Sequence, residues 1–238
     1  MSGGRFLCKG PMMSKRYLLL IAAVVASSMF GAAVNASEDF RVIANVDAIV
    51  VGKVGIGVRG FMVSAIKQSE ATVTFEPRTN QASLAFSAQG VKNRLYLGQL
   101  ARSTFIDAVV RYRDDFDQRK LSLKAKKTDR LYGFAKGKLE WGGITINKYS
   151  LPRVDFGYIF VDRKHPKPYF SITIQKADNL GSKVDGVEFD NESVKTVIFF
   201  TKNQATELAE MLLQEKLEGL LAERGIIDYS EEPDVYKE

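Results

Sequence analysis

Cysteine, histidine and net charge are what this 238-residue sequence has least of, and each shortage removes a class of chemistry. The one cysteine, Cys8, precedes an apolar leader ending at Ala36, so the chain beyond it has no thiol for disulfides, zinc thiolate sites or nucleophilic catalysis. Cys8 also lies on the wrong side of the apolar core to be a lipidated cysteine. The one histidine, His165, stands in the run Arg-Lys-His-Pro-Lys-Pro, which suits a solvated turn. No serine in a G-x-S-x-G context accompanies it, so neither a histidine metal cluster nor a Ser-His-Asp triad can be drawn.

The formal charge of +6 suggests a basic protein until the leader is set aside. Lys15 and Arg16 form a positive segment, Leu18 to Ala26 an uninterrupted apolar core, and Val34-Asn35-Ala36 presents modest side chains before Ser37. These are the three parts of a secretory signal, and cleavage is expected after Ala36. An uncleaved anchor is the rival, but the apolar run is short of the roughly 20 residues that a span needs. Met1, Met12 and Met13 are all compatible starts. Residues 1–36 carry Arg5, Lys9, Lys15 and Arg16 and no acid, so the 34 basic residues fall to 30 against 28 acidic ones. The remaining chain is nearly neutral, and its overall charge does not argue for a nucleic-acid partner.

Beyond the leader, period-two runs rich in β-branched and aromatic residues dominate. Residues 72–75, 82–86 and 93–97 read as strands, with turns at 77–80 and 89–90. The period then becomes helical, with Ala101, Phe105, Ala108, Val109, Tyr112 and Phe116 on one face and Asp107 able to pair with Arg111 on another. A second strand-rich stretch starts near Arg130. Alternating Val154, Phe156, Tyr158 and Phe160 pair with 169–175 as a hairpin tipped by prolines. Residues 194–200 form a further strand, and Thr201 caps one long helix over 202–224. Residues 91–110 match 194–213 without gaps, Phe105 falling on Leu208, Val109 on Leu212 and Val110 on Leu213. Any strand followed by an amphipathic helix aligns in this way, yet the match suggests an internal duplication.

The expected architecture is therefore α+β, with two antiparallel β-meander-plus-helix units behind a cleaved signal peptide. The signal is 1–36 and the first unit 37–118. A basic connector or lysine-guarded edge strand follows at 119–130, then the second unit at 131–225 and an acidic, fraying tail at 226–238.

Three stretches invite functional readings. Gly55-Ile-Gly-Val-Arg-Gly60 has the spacing of a dinucleotide fingerprint, but no helix-forming sequence follows Gly60 and no acid lies suitably downstream. The glycines read as a kinked or bulged strand or a turn between strands, and no nucleotide or other cofactor is expected. The loop 178–192 gathers Asp178, Asp185, Glu188, Asp190 and Glu192, without EF-hand spacing, and reads as a solvated connection rather than a metal site. The basic run contributes Arg119, Lys120, Lys124, Lys126 and Lys127, and the hairpin tip adds Arg163, Lys164 and Lys167. Converging, these would hold an anionic ligand; otherwise they are a solvated linker.

The expectation is an exported, periplasmic or extracellular binding or scaffolding protein of the cell envelope, its partner an anionic lipid or glycan and its membrane contact at most peripheral. The competing readings are a cofactor-independent hydrolase using carboxylates, which lacks a recognisable acid pair, and a nucleic-acid module using strand aromatics such as Tyr96 and Tyr158, which export disfavours. A non-enzymatic role is favoured.

Overall fold

Each strand carries the two-residue alternation of its sequence, and antiparallel pairing converts that alternation into one sheet with an apolar inner face and a polar outer one. The structure is a computed structural model that describes residues 47–59, 67–88, 90–142, 148–161, 166–181 and 192–226. All of them fall in one unit, Arg41–Glu238. The leader, Gly60, Arg163, Lys164, His165, the stretch 182–191 and the tail 227–238 lie outside the described residues.

The strands are β1 (Ile49–Arg59), β2 (Lys67–Glu76), β3 (Gln81–Ala88), β4 (Val91–Leu97), β5 (Leu131–Lys136), β6 (Lys138–Gly142), β7 (Lys148–Ser150), β8 (Arg153–Phe160), β9 (Pro168–Ile174) and β10 (Thr196–Phe200). Helix α1 is Gln99–Asp117, α2 is Lys202–Met211 and α3 is Gln214–Glu223. Across the sheet the order is β5-β8-β9-β10-β1-β2-β3-β4-β6-β7. Both halves of the sequence thus contribute to a single ten-stranded sheet, joined where β1 pairs with β10. The α+β class holds, and β2–β4 before α1 and β8–β10 before α2 are each a run of adjacent strands leading to a helix.

Short links force this sheet to curl. Gly137 alone separates β5, first in the order, from β6, ninth; Leu151 and Pro152 alone separate β7, tenth, from β8, second. Links this short reach only about 7–10 Å, so the two ends of the sheet must approach each other. Gly137 donates to the Pro152 carbonyl at 3.1 Å, and Leu180, beyond β9, donates to the Tyr149 carbonyl of β7 at 2.8 Å. The site is tight: a Cβ on Gly137 would stand 3.0 Å from Val154 and 3.1 Å from both Leu95 and the Tyr96 carbonyl.

The core lies between the inner face and the helices. Ile56, Val73, Phe75, Leu84, Leu95, Phe156, Ile172 and Ile198 are fully buried there. Helix α1 buries the face its sequence specifies, and Phe105 meets Phe156 and Phe170 edge to face with centroids 5.5 and 5.6 Å apart. Only Phe116 of that face stays half-exposed. The pair expected between Asp107 and Arg111 does not form. Arg111 instead donates to the Tyr132 carbonyl at 2.9 Å and lies over the Tyr132 ring, which anchors β5 to α1.

Thr201 caps α2 through a reciprocal capping box with Gln204. The single helix expected over 202–224 is broken, however, at Leu212 and Leu213. Leu208 and Leu212 share a face, but Leu217 and Leu221 come five and nine residues after Leu212, more than a third of a turn out of phase at 3.6 residues per turn. Extended backbone at Leu213 restarts the helix so that all four leucines are buried.

Candidate functional site

Gly55 and Gly57 sit in the middle of β1, which pairs antiparallel with β2 and β10 and carries a register shift between Val50 and Gly52. A dinucleotide fingerprint opens a parallel βαβ unit, and both neighbours of this strand are antiparallel. Gly55 and Gly57 are therefore residues of a regularly paired antiparallel strand whose bulge lies nearer its start.

The outer face of the same strands carries a concavity of about 500 Å³. Pairing register builds its floor. One row across the sheet runs Gly57, Phe199, Ser171 and Gly157, and the next runs Arg59, Val197, Thr173 and Asp155. Gly157 and Ser171 keep the first row low, while Arg59 and Lys195 stand at the β1 and β10 side.

The opposite wall is the connector from α1 to β5. It is coil and turns, not the edge strand that its alternation also allows. Arg119 adopts a left-handed conformation (φ 55°), the Ser122 hydroxyl accepts from the Lys124 amide at 3.1 Å, and Thr128–Arg130 forms a 3-10 turn. These local bonds supply partners that a ladder would otherwise provide. Arg130 organises the segment, its Nη2 donating to the Leu123 carbonyl at 2.5 Å and its Nε to the Ala125 carbonyl at 3.1 Å. The connector reaches the outer face over Gly157, where any Cβ would collide with the Arg130 carbonyl. Glycine is required there by this close approach, not by its dihedral angles.

Four cations therefore line the concavity: Arg59, Lys127, Arg130 and Lys195. The acid in it is Asp155, 18% exposed, which accepts from Arg153 Nε and from Gln175 Nε2, both at 2.6 Å. Arg153 thus offsets its charge. Among the described residues no carboxylate pairs with any of the four cations, so the groove carries a net positive field.

Of the residues expected from sequence, Lys127 lines the groove. Arg119, Lys120, Lys124 and Lys126 are exposed along the connector, and Lys167 is exposed just before β9. Arg163 and Lys164 lie outside the described residues, as do Asp185, Glu188 and Asp190. Asp178 and Glu192 form an isolated antiparallel bridge, and Glu192 pairs with Lys176. Arg59, Arg130 and Lys195 were not expected in the groove because they are far apart in sequence; the usable signal for Arg59 and Lys195 was their position at strand ends.

Residues 46–219 match a family described as "Uncharacterised Treponema protein". The chain belongs to that family. No curated protein and no solved structure matches it. The matched span contains all four groove cations and the whole sheet.

A second concavity of about 500 Å³ lies over β2, β3, β4 and β6, and its lining carries two acids, Glu70 and Glu140, against two cations, Lys92 and Arg94. Glu70 pairs with Lys53 at 2.9 Å, while Glu140 takes Lys138 at 2.8 Å and the Tyr96 hydroxyl at 2.8 Å. Burial pushes the Glu140 carboxyl up, but the Lys138 and Tyr96 donors outweigh it and leave the group below its ordinary value. Hydrogen bonding to Glu140 in turn holds the Lys138 ammonium above its usual range. Among the described residues no three His, Cys, Asp or Glu side chains converge as a metal site, and no helix is long and apolar enough to cross a membrane.

Proposed function

We propose that this chain is an exported binding protein of the cell envelope whose outer sheet face takes an anionic ligand, a lipid headgroup or an acidic glycan. The observation that carries the reading is the groove in which Arg59, Lys127, Arg130 and Lys195 face one acid already neutralised by Arg153. A cavity of this size holds its cations within roughly one or two Debye lengths, about 8 Å each at physiological salt, so they act together on one anion. The leader through Ala36 supports export. The hydrolase alternative is weaker because the groove's carboxylate is tied to Arg153 and Gln175 and is not free for acid-base work. The similar succession of β2–β4 with α1 and β8–β10 with α2 is read as an internal duplication, and the basic groove draws its cations from both units and from the connector between them.

The test is salt-dependent retention of the purified protein on immobilised heparin and on vesicles containing phosphatidylglycerol. Reversal of Arg59, Lys127 and Lys195 to glutamate is expected to abolish retention at physiological salt, whereas reversal of Lys120, Lys124 and Lys126 weakens it only modestly. Equal losses in the two variants would mean that diffuse surface charge, not the groove, holds the anion.

A further inference from the structure

Beside the groove, β5 leaves Phe134 58% exposed. It pairs in register with Asp155, so its ring stands on the outer face at the groove margin. The Arg153 guanidinium lies 4.0 Å from the ring centroid. Its position is fixed from the other side, because Arg153 Nε donates to Asp155 Oδ1 and Gln175 Nε2 donates to Asp155 Oδ2, both at 2.6 Å. An exposed aromatic ring is thus backed by an ion-paired guanidinium next to a basic cavity whose floor offers Ser171, Thr173 and Gln175.

We infer that the Phe134–Arg153 stack is a sugar-ring subsite and that the groove's ligand is an acidic glycan. This rests on the anion-binding reading of the groove. A pyranose ring has an apolar C–H face that covers an aromatic or guanidinium plane and equatorial hydroxyls that meet hydroxyl and amide side chains. Phe134 and Arg59 stand four strands apart in one row, about 19 Å, so it is the carboxylates or phosphates of neighbouring residues of the glycan that face Arg59, Lys195 and Lys127. A lipid headgroup supplies the anion as well, and Val197 and Ile159 also line the concavity, but the side chains next to the stack are Thr173 and Gln175, which meet hydroxyls rather than acyl chains.

The test is calorimetric titration of the full chain with three probes: a tetramer of galacturonic acid, a linear polyphosphate of equal charge without sugar rings, and phosphatidylglycerol vesicles. Phe134→Ala is expected to weaken galacturonate binding about five- to tenfold and to leave polyphosphate binding unchanged; Phe134→Trp is expected to restore it. Arg59→Glu with Lys195→Glu is expected to weaken both. Phe134 is exposed, so its substitution should leave the urea midpoint in place, which separates lost binding from lost folding. If the charge variant weakens both soluble probes while Phe134→Ala weakens neither, the sugar subsite is wrong and the anion groove stands. If the charge variant changes nothing, or no probe binds, both fall. Binding of vesicles without the galacturonate would assign the groove to lipid and overturn the glycan.

Discussion

Arg102 gives the sharpest test of how the fold is held together. It is 2% exposed, in the first turn of α1, and its guanidinium spans three elements. Nη1 donates to the Asn80 carbonyl at 2.6 Å, Nη2 to Asn80 Oδ1 at 2.8 Å and to Gln214 Oε1 at 2.5 Å, and Cζ lies 5.5 Å from the Phe75 ring centroid. Asn80 is the left-handed residue of the β2–β3 turn (φ 48°) and Gln214 begins α3, so one side chain ties the first half of the sheet to the last helix. Replacement by alanine removes three charge-assisted bonds and leaves a cavity over Phe75, an expected loss of about 3–5 kcal/mol. Replacement by methionine keeps most of that packing and removes the cost of burying a charge. Asn80 and Gln214 are only half-buried, so water can satisfy them, and the expected loss is about 1–2 kcal/mol. Burial pulls the Arg102 pKa down to about 10, which still leaves a cation at neutral pH. A basic group depressed in the fold disfavours folding while charged, so its contribution to stability improves only as pH rises through about 10 and is flat between pH 6 and 8. Urea unfolding of the three proteins at pH 7 measures the differences. A methionine variant as unstable as the alanine variant would refute the packing argument, and an alanine variant within about 1 kcal/mol of wild type would refute the latch.

Three further outcomes are expected. Gly157→Ala should destabilise by about 1–3 kcal/mol and also weaken anion binding, because the new methyl displaces the connector that carries Lys127 and Arg130; an unchanged urea midpoint with unchanged heparin retention would contradict the crossing. Glu140, whose folded pKa is depressed, should contribute its stabilisation in full at neutral pH and lose it as pH falls below the ordinary carboxylate value through the depressed one. The stability difference between wild type and Glu140→Gln should therefore shrink from pH 7 to about pH 3, and a constant difference would show that Lys138 and Tyr96 do not favour the charged form. Phe105→Ala and Leu208→Ala should each cost about 2–5 kcal/mol in thermal or urea unfolding, since both side chains are fully buried on helices facing the same sheet; a loss below about 1 kcal/mol for either would mean that its cavity collapses.

Local elements were legible because local rules decide them. Period two set β2, β3, β4, β8 and β9, helical spacing set the buried stripe of α1, and Thr201 marked the start of α2. The break at Leu213 was not legible as one helix or two without the phase of Leu217 and Leu221. Pairing between distant strands was hidden altogether. The hairpin of β6 and β7 follows β5 in sequence but joins β4 of the first half, because Gly137 turns the chain across the seam of a curled sheet. No periodicity records which edge a strand will find.

The groove follows from that hidden topology. Helix α1 leaves β4, the eighth strand in the order, and the chain must next enter β5, the first. Nineteen helical residues extend about 28 Å, and α1 spends that length alongside β5, with Thr104 against Gly133 and Arg111 and Asp115 bonded to Tyr132, before the chain turns back into that strand. From there Ser122 meets the Tyr158 hydroxyl at the rim, its amide 3.4 Å away, and the connector comes over Gly157 onto the outer face. Had β5 paired beside β4, the same lysines would flank a solvated linker, with Arg59 and Lys195 on a different part of the sheet. Pairing β5 with β8 instead sets Lys127 and Arg130 opposite them. Sequence clustering of the lysines was thus the weaker signal, and the side chains to test are the scattered ones that the curl collects.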